Sequence, residues 1–158
     1  MTRSINNPFR GMEGYNCFGC SPENAYGLKM HFEEEGDEVV SRWNPDKKFQ
    51  GFTGVLHGGI QATLMDELAS WFVFAKLGTA GVTARMEVTY HKPVKISRGP
   101  LVLRARLSEQ RHRLAVMKVT LTDAEGTLCS EAVVEYFLFP PEKARQELLY
   151  PGQEYFLR

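Results

Sequence analysis

The stretch from Gly58 to Gly78 constrains what this chain can fold into more than any other. From Ile60 the apolar positions Leu64, Leu68, Trp71, Phe72 and Ala75 recur at helical spacing, and Gly78 is a suitable stop just past Leu77. The other side is hardly more polar, with Ala62, Met65, Ala69 and Val73. A helix apolar nearly all round is wrapped by other structure rather than laid on a surface. The remainder of the 158 residues must therefore supply a wrapping, and 43% apolar content is enough for one domain with a real core.

Asp66 is out of place in such a helix. A buried carboxylate must be paired, hydrogen-bonded or protonated, and apolar surroundings raise its pKa into the range useful for acid–base work. Ala62, Ser70 and Val73 flank it at helical spacing, small enough to leave room for a ligand, whereas Glu67 is expected to point toward Ile60, Leu64, Trp71 and Phe74. Gly58 and Gly59 open the helix with free backbone N–H groups and permit close approach, so an oxyanion fits there.

The wrapping reads as strands. Leu28–Glu34 and Glu38–Trp43 alternate around Gly36-Asp37, a plausible hairpin. After the helix, Val82, Ala84, Met86, Val88 and Tyr90 alternate with Thr83, Arg85, Glu87, Thr89 and His91, which predicts a half-buried strand ending before Pro93. Leu101–Leu107, Leu114–Thr122 and Leu128–Phe139 continue the pattern, separated by turns at residues 110–113 and 123–126. One long buried helix and about six strands joined mostly by short turns imply an α+β fold, an antiparallel sheet curled around the helix. The expected organisation is an irregular lead-in over 1–27, the folded unit over 28–139, and a tail over 140–158 in which a short helix is possible.

Composition excludes several classes. A formal net charge of zero and a near-neutral pI argue against a nucleic-acid surface or polybasic anchor, and no run reaches the length of a membrane span. Without an apolar N-terminal signal region, a cytoplasmic location is expected. Three cysteines, an odd number, read as thiols rather than a disulfide framework. Cys17-Phe18-Gly19-Cys20 invites a zinc reading, but no second ligand pair stands at finger-like spacing and His31 and Cys129 are isolated, so no metal is expected.

Gly58 and Asp66 lie eight residues apart on one helix, a rise of about 12 Å, too far for both to serve one carbonyl carbon lying ~3 Å from each. If both act together, the glycine comes from one subunit and the aspartate from another across a two-fold interface.

His57-Gly58-Gly59 followed by Asp66, the approach Phe49–His57 and the later Gly81-Val82-Thr83-Ala84-Arg85-Met86 resemble the active-site region of hotdog-fold acyl-CoA thioesterases, in the branch that includes phenylacetate-pathway and 4-hydroxybenzoyl-CoA thioesterases. The likeness runs from about Asn16 to Phe139. It implies a hotdog fold, hydrolysis of an acyl-CoA thioester without a cofactor, and homodimers often paired as dimers of dimers. Asp66 would attack the carbonyl, giving a mixed anhydride, or activate water as a general base, with the Gly58 N–H polarising the carbonyl. Thr83 aligns with a hydroxyl that orients water or carboxylate in similar enzymes; as an ordinary strand threonine it would have no such role. Gln50 lies near an amide that approaches the thioester in relatives, one register off in some. His57, at the turn before the helix, is expected to hydrogen-bond locally and shape the loop, with a catalytic role as the alternative. Gly59 and Phe52 adjoin the substrate. The phosphates of coenzyme A call for basic residues, available as Lys92, Lys95 and Arg98 and as the turn Arg111-His112-Arg113. Trp71, Phe72 and Phe74 are either acyl pocket or core. The segment Asn16–Met30 resembles a lead-in found in a subgroup of these enzymes and reads as packing.

Two rival classes are a non-catalytic acyl-CoA-binding module and an enoyl-CoA hydratase. A buried Asp66 kept without function would cost stability, which disfavours the first. Relatives of the second carry Asp and His a few residues apart at the helix start, whereas His57 precedes Asp66 by nine.

Overall fold

The architecture comes from a computed structural model that describes residues 1–157. Seven strands form one antiparallel sheet: β1 (Thr2–Ile5), β2 (Phe32–Glu35), β3 (Glu38–Trp43), β4 (Gly81–Tyr90), β5 (Leu101–Arg111), β6 (Leu114–Thr122) and β7 (Leu128–Leu138), in the order β1-β2-β3-β5-β6-β7-β4. The central helix α1 (Gly58–Phe72) lies across β3, β5, β6, β7 and β4 and continues as a π-helical turn over Val73–Leu77, ended by Gly78 at φ +66°. Leu64, Met65, Leu68, Ala69 and Trp71 are wholly buried, as are the inward rows Leu101-Leu103-Ala105 and Ala115-Met117-Val119-Leu121. This is the hotdog layout expected from the sequence.

It carries one strand more than the six expected. Residues 2–5 read as irregular because β1 has a single buried position, Ile5, and no alternating face of its own. It is a short edge strand held by its ladder to β2, with Arg3 paired to Glu34 at 2.9 Å. The tail also joins the body. It forms α2 (Pro141–Leu148), with Pro140 and Pro141 at its start, and returns to bury Tyr150 and Phe156 against Phe74. Tyr150 Oη donates to the Phe74 carbonyl at 2.9 Å and Gln153 Nε2 to that of Ala75 at 2.7 Å, satisfying carbonyls at the end of the long helix. Trp71 and Phe72 are buried in this core, which assigns them to packing rather than to an acyl pocket.

β4 departs from the simple alternation. Thr83 stands opposite Tyr136, but Arg85 stands opposite Glu135 and Met86 opposite Val134, a register shift that leaves Ala84 as the extra residue of a bulge. Cross-strand partners share a face, and Tyr136, Val134 and Ala132 are the inward row of β7. Thr83 therefore faces the helix together with Met86, Val88 and Tyr90, while Val82 and Arg85 face out. The expectation that Val82 lies inward and that Thr83 shares a face with Arg85 and Glu87 is overturned by this one-residue shift. On the outer face Arg85 pairs with Glu87 at 3.6 Å. β4 is an edge strand, ten residues long, and most of its side chains are exposed. No helix among the described residues is long and apolar enough to cross a membrane.

Candidate active site

His57 shapes the start of α1. With φ −59° and ψ 134° it stands just outside the helix, and its Nδ1 accepts a 2.9 Å hydrogen bond from the Gly59 N–H. Its carbonyl accepts from Ile60 N and Gln61 N. Of the four N–H groups in the first turn, Gly58 alone is left without an acceptor among the described residues. The residue expected to polarise a carbonyl is thus the one whose donor is free, and Gly59 is committed to the cap. His57 has the local role expected of it, with Nδ1 unprotonated in that bond.

The loop before the helix is organised by Gln50, whose Oε1 accepts from Gly54 N at 3.1 Å. A cavity of about 640 Å³ opens at this end, lined among others by Phe52, His57, Gly58, Tyr90 and Lys92. Phe52 is 87% exposed at its rim. Tyr90 Oη donates to the Gly58 carbonyl at 2.6 Å and so ties the far end of β4 to the helix start, a contact the sequence reading missed. Gln61 was also missed: it is buried, donating to the Leu56 carbonyl and accepting from Ser130 Oγ, which pins the first turn to β7.

Asp66 lines none of that cavity. Two turns further along α1 it is half-buried, and its Oδ1 accepts a 2.7 Å hydrogen bond from Thr83 Oγ1. Burial pushes the carboxyl above the ordinary range, and the Thr83 hydroxyl works in the opposite sense. Tyr136 is buried opposite Thr83; burial and then the Asp66 charge push its phenol up, while the Thr83 and Ser70 hydroxyls work in the opposite sense. Ser70 is beside Asp66 as the helical spacing predicts, while Tyr136, far away in sequence, had no such spacing to reveal it.

The basic residues fall at two ends of one chain. Lys92 belongs to the Gly58 cavity. Arg111 closes β5 and pairs with Glu109 at 3.1 Å, and Arg113 lies in the two-residue turn whose carbonyl accepts from Leu138 N, at the Gly81 end of β4 near Thr83. Lys95 and Arg98 are exposed near a short 3₁₀ turn.

Glu67 does not simply pack among the apolar residues expected around it. Trp71 Nε1 donates to it at 3.2 Å as its spacing implies, but its carboxylate turns to the lead-in, where Cys17 Sγ lies 3.4 Å away. Burial raises its pKa to about 7.

The hotdog fold seen here is the one that the resemblance to acyl-CoA thioesterases implies. Comparison with known proteins agrees. The family model described as the thioesterase superfamily matches residues 53–130. Human acyl-coenzyme A thioesterase 13 is 30% identical over 133 residues, covering 83% of this chain and 91% of that protein. Among solved structures, a thioesterase superfamily protein, RHA08564, superimposes with a TM-score of 0.70 at 27% identity over 77% of this chain, which spans 60% of that longer protein. A thioesterase protein from Streptococcus pneumoniae TIGR4, solved with coenzyme A, gives 0.65 at 25% identity, covering 71% of this chain and 90% of that one. The chain belongs to the thioesterase superfamily.

Proposed function

We propose that this chain hydrolyses acyl-CoA thioesters at a site shared between two copies, with Asp66 as nucleophile or general base and the Gly58 N–H as oxyanion donor. The observation that carries this reading is the separation of the two halves: Asp66, held by Thr83, is absent from the cavity that Gly58 opens. A second copy can join them. A long exposed edge strand is a template for pairing, and antiparallel pairing of β4 with β4 of a second copy, centred near Met86–Glu87, sets Thr83 of one opposite Tyr90 of the other. Thr83 holds Asp66 and Tyr90 holds the Gly58 turn, so each pairing brings one carboxylate to one free N–H.

In that arrangement the thioester carbonyl oxygen accepts from Gly58 N–H, and charge developing on it is stabilised by that donor and the helix start. Either the Asp66 carboxylate attacks the carbonyl carbon, expelling the CoA thiolate and leaving an anhydride that water cleaves, or it takes a proton from a water that attacks directly. Thr83 orients the carboxylate in both routes. Lys92 from one copy and Arg111 and Arg113 from the other gather near one mouth, where the 3′-phosphate and pyrophosphate of coenzyme A need cations. Two relatives support this ligand: one is named an acyl-coenzyme A thioesterase, and another was solved with coenzyme A.

The test is thiol release from short, medium, long and aryl acyl-CoAs by the natural chain and by Asp66→Asn. Release that the variant loses while staying folded and oligomeric supports the reading. No release from any ester overturns it and leaves acyl-CoA binding to be measured.

A further inference from the structure

At Glu67, the helix residue after Asp66, three donor atoms converge from the lead-in turn and α1. Cys17 Sγ, Cys20 Sγ and a Glu67 carboxylate oxygen all lie within 4.8 Å of one another. We propose that Cys17, Cys20 and Glu67 bind one thiophilic divalent cation of the zinc class.

The spacing fits. Bonds of ~2.3 Å to sulfur and ~2.0 Å to oxygen in a tetrahedron place sulfur and oxygen ~3.5 Å apart and two sulfurs ~3.8 Å apart. Cys17 Sγ and Glu67 Oε1 already stand at 3.4 Å. The rest closes with a shift of about an ångström or less in side chains on a turn. Two thiolates with one carboxylate suit zinc, or cobalt(II) in its place, better than the hard oxygen-seeking cations.

The surroundings are built for the ligands. Tyr15 Oη lies 2.8 Å from Cys20 Sγ and accepts from Asn7 Nδ2 at 3.0 Å, leaving its own proton for the sulfur. Trp71 Nε1 donates to the same Glu67 oxygen that faces Cys17. Such outer donors orient metal ligands and stabilise their charged forms. The turn itself makes room for the carboxylate: a Cβ on Gly19 would fall 2.6 Å from Glu67 Cγ and Cδ. The main chain of the turn is fixed by Leu28 N donating to the Phe18 carbonyl at 2.7 Å and Met30 N to that of Gly19 at 3.0 Å.

Charge selects the occupant. The adjoining cavity of about 340 Å³ has no Lys, Arg or His in its lining, and Glu13 adds a further carboxylate. A thiol pair made for attack on disulfides or peroxides sits in electropositive surroundings. Here a carboxylate faces the sulfurs instead, and sulfur with carboxylate oxygen is a donor set for a cation. Water from the cavity supplies the fourth position. Binding releases the thiol protons to solvent and clamps the lead-in turn onto the central helix.

The site does not depend on the hydrolase reading, and its test needs no activity. The reduced full chain, stripped with a chelator, is titrated with zinc against a chromophoric zinc indicator and separately with cobalt(II). One equivalent per chain and a sulfur-to-cobalt charge-transfer band are expected. Cys17→Ser and Glu67→Gln should each weaken zinc by more than the ~10–100-fold that loss of an outer-shell partner costs. If a variant does not fold, the cobalt band of the natural chain still decides, since it reports thiolate ligation. Absence of that band, unchanged affinity in a folded Glu67→Gln, or a Cys17–Cys20 disulfide forming with zinc present overturns the proposal.

Discussion

Thr83 donates a 2.7 Å hydrogen bond to Asp66, and it reaches that carboxylate only because β4 carries a bulge at Ala84. Without the extra residue Thr83 would share the outer face with Arg85. The bulge is thus the local device that brings a strand hydroxyl onto the Asp66 carboxylate of the central helix.

The first prediction follows from the opposed effects on that carboxyl. In the proposed mechanism Asp66 acts in its ionised form, and burial holds its pKa above the ordinary value while Thr83 lowers it. Activity should fall as pH drops through that raised pKa. Thr83→Val removes the lowering contact, so the acid limb of the kcat–pH profile moves to higher pH. Asp66→Asn should reduce kcat by ~10²–10⁴-fold on the plateau above that limb. An unmoved acid limb in Thr83→Val would count against this role for the hydroxyl.

Gly58 permits a backbone test. It is the first helical residue, where proline is accepted because the N–H has no helical partner, and His57 at ψ 134° already has the conformation that precedes proline. Gly58→Pro should fold and lose ~10²–10³-fold in kcat, the effect of deleting one oxyanion donor. Gly58→Ala keeps the N–H, and the atoms nearest its Cβ belong to the Tyr90 side chain at 3.4 Å, so it should stay close to the natural chain.

Recognition of the nucleotide end separates from chemistry. Replacing Arg111 and Arg113 with alanine, or Lys92 with alanine, should raise KM for CoA esters more than for a small thioester lacking the nucleotide. Equal changes for both substrates would argue that these side chains do not meet the phosphates.

The tail belongs to the core. Phe156 is wholly buried against Phe9, Trp71, Phe74 and Tyr150. Phe156→Ala should lower unfolding free energy by ~3–5 kcal/mol in urea titrations, whereas a freely attached tail would show almost no loss.

What the sequence made legible was set by periodicity. The buried helix, the hairpin around Gly36 and the strands β5 to β7 repeat a pattern over enough residues to declare themselves, and the lone Asp66 stands out against it. The bulge at Ala84 shifts the pattern by a single residue and leaves no mark on composition, so the faces of Val82 and Thr83 were misread. Tyr90, Tyr136 and Gln61 look like ordinary strand and helix residues until the ladder of β4 with β7 sets them beside α1. Glu67 was separated from Cys17 and Cys20 by about fifty residues, and ligand spacing along a chain cannot see such a contact.

Sharing of the site between two copies is tested most directly by mixing two inactive variants, Gly58→Pro and Asp66→Asn, after dissociation and reassociation. In a mixed dimer the Asp66 of the first meets the Gly58 of the second, giving one intact site and one doubly defective site. Equal mixing makes about half the dimers mixed, so about a quarter of natural activity should return. If each chain built its own site, mixed dimers would hold only defective sites, and activity no greater than the average of the two variants would contradict the shared site.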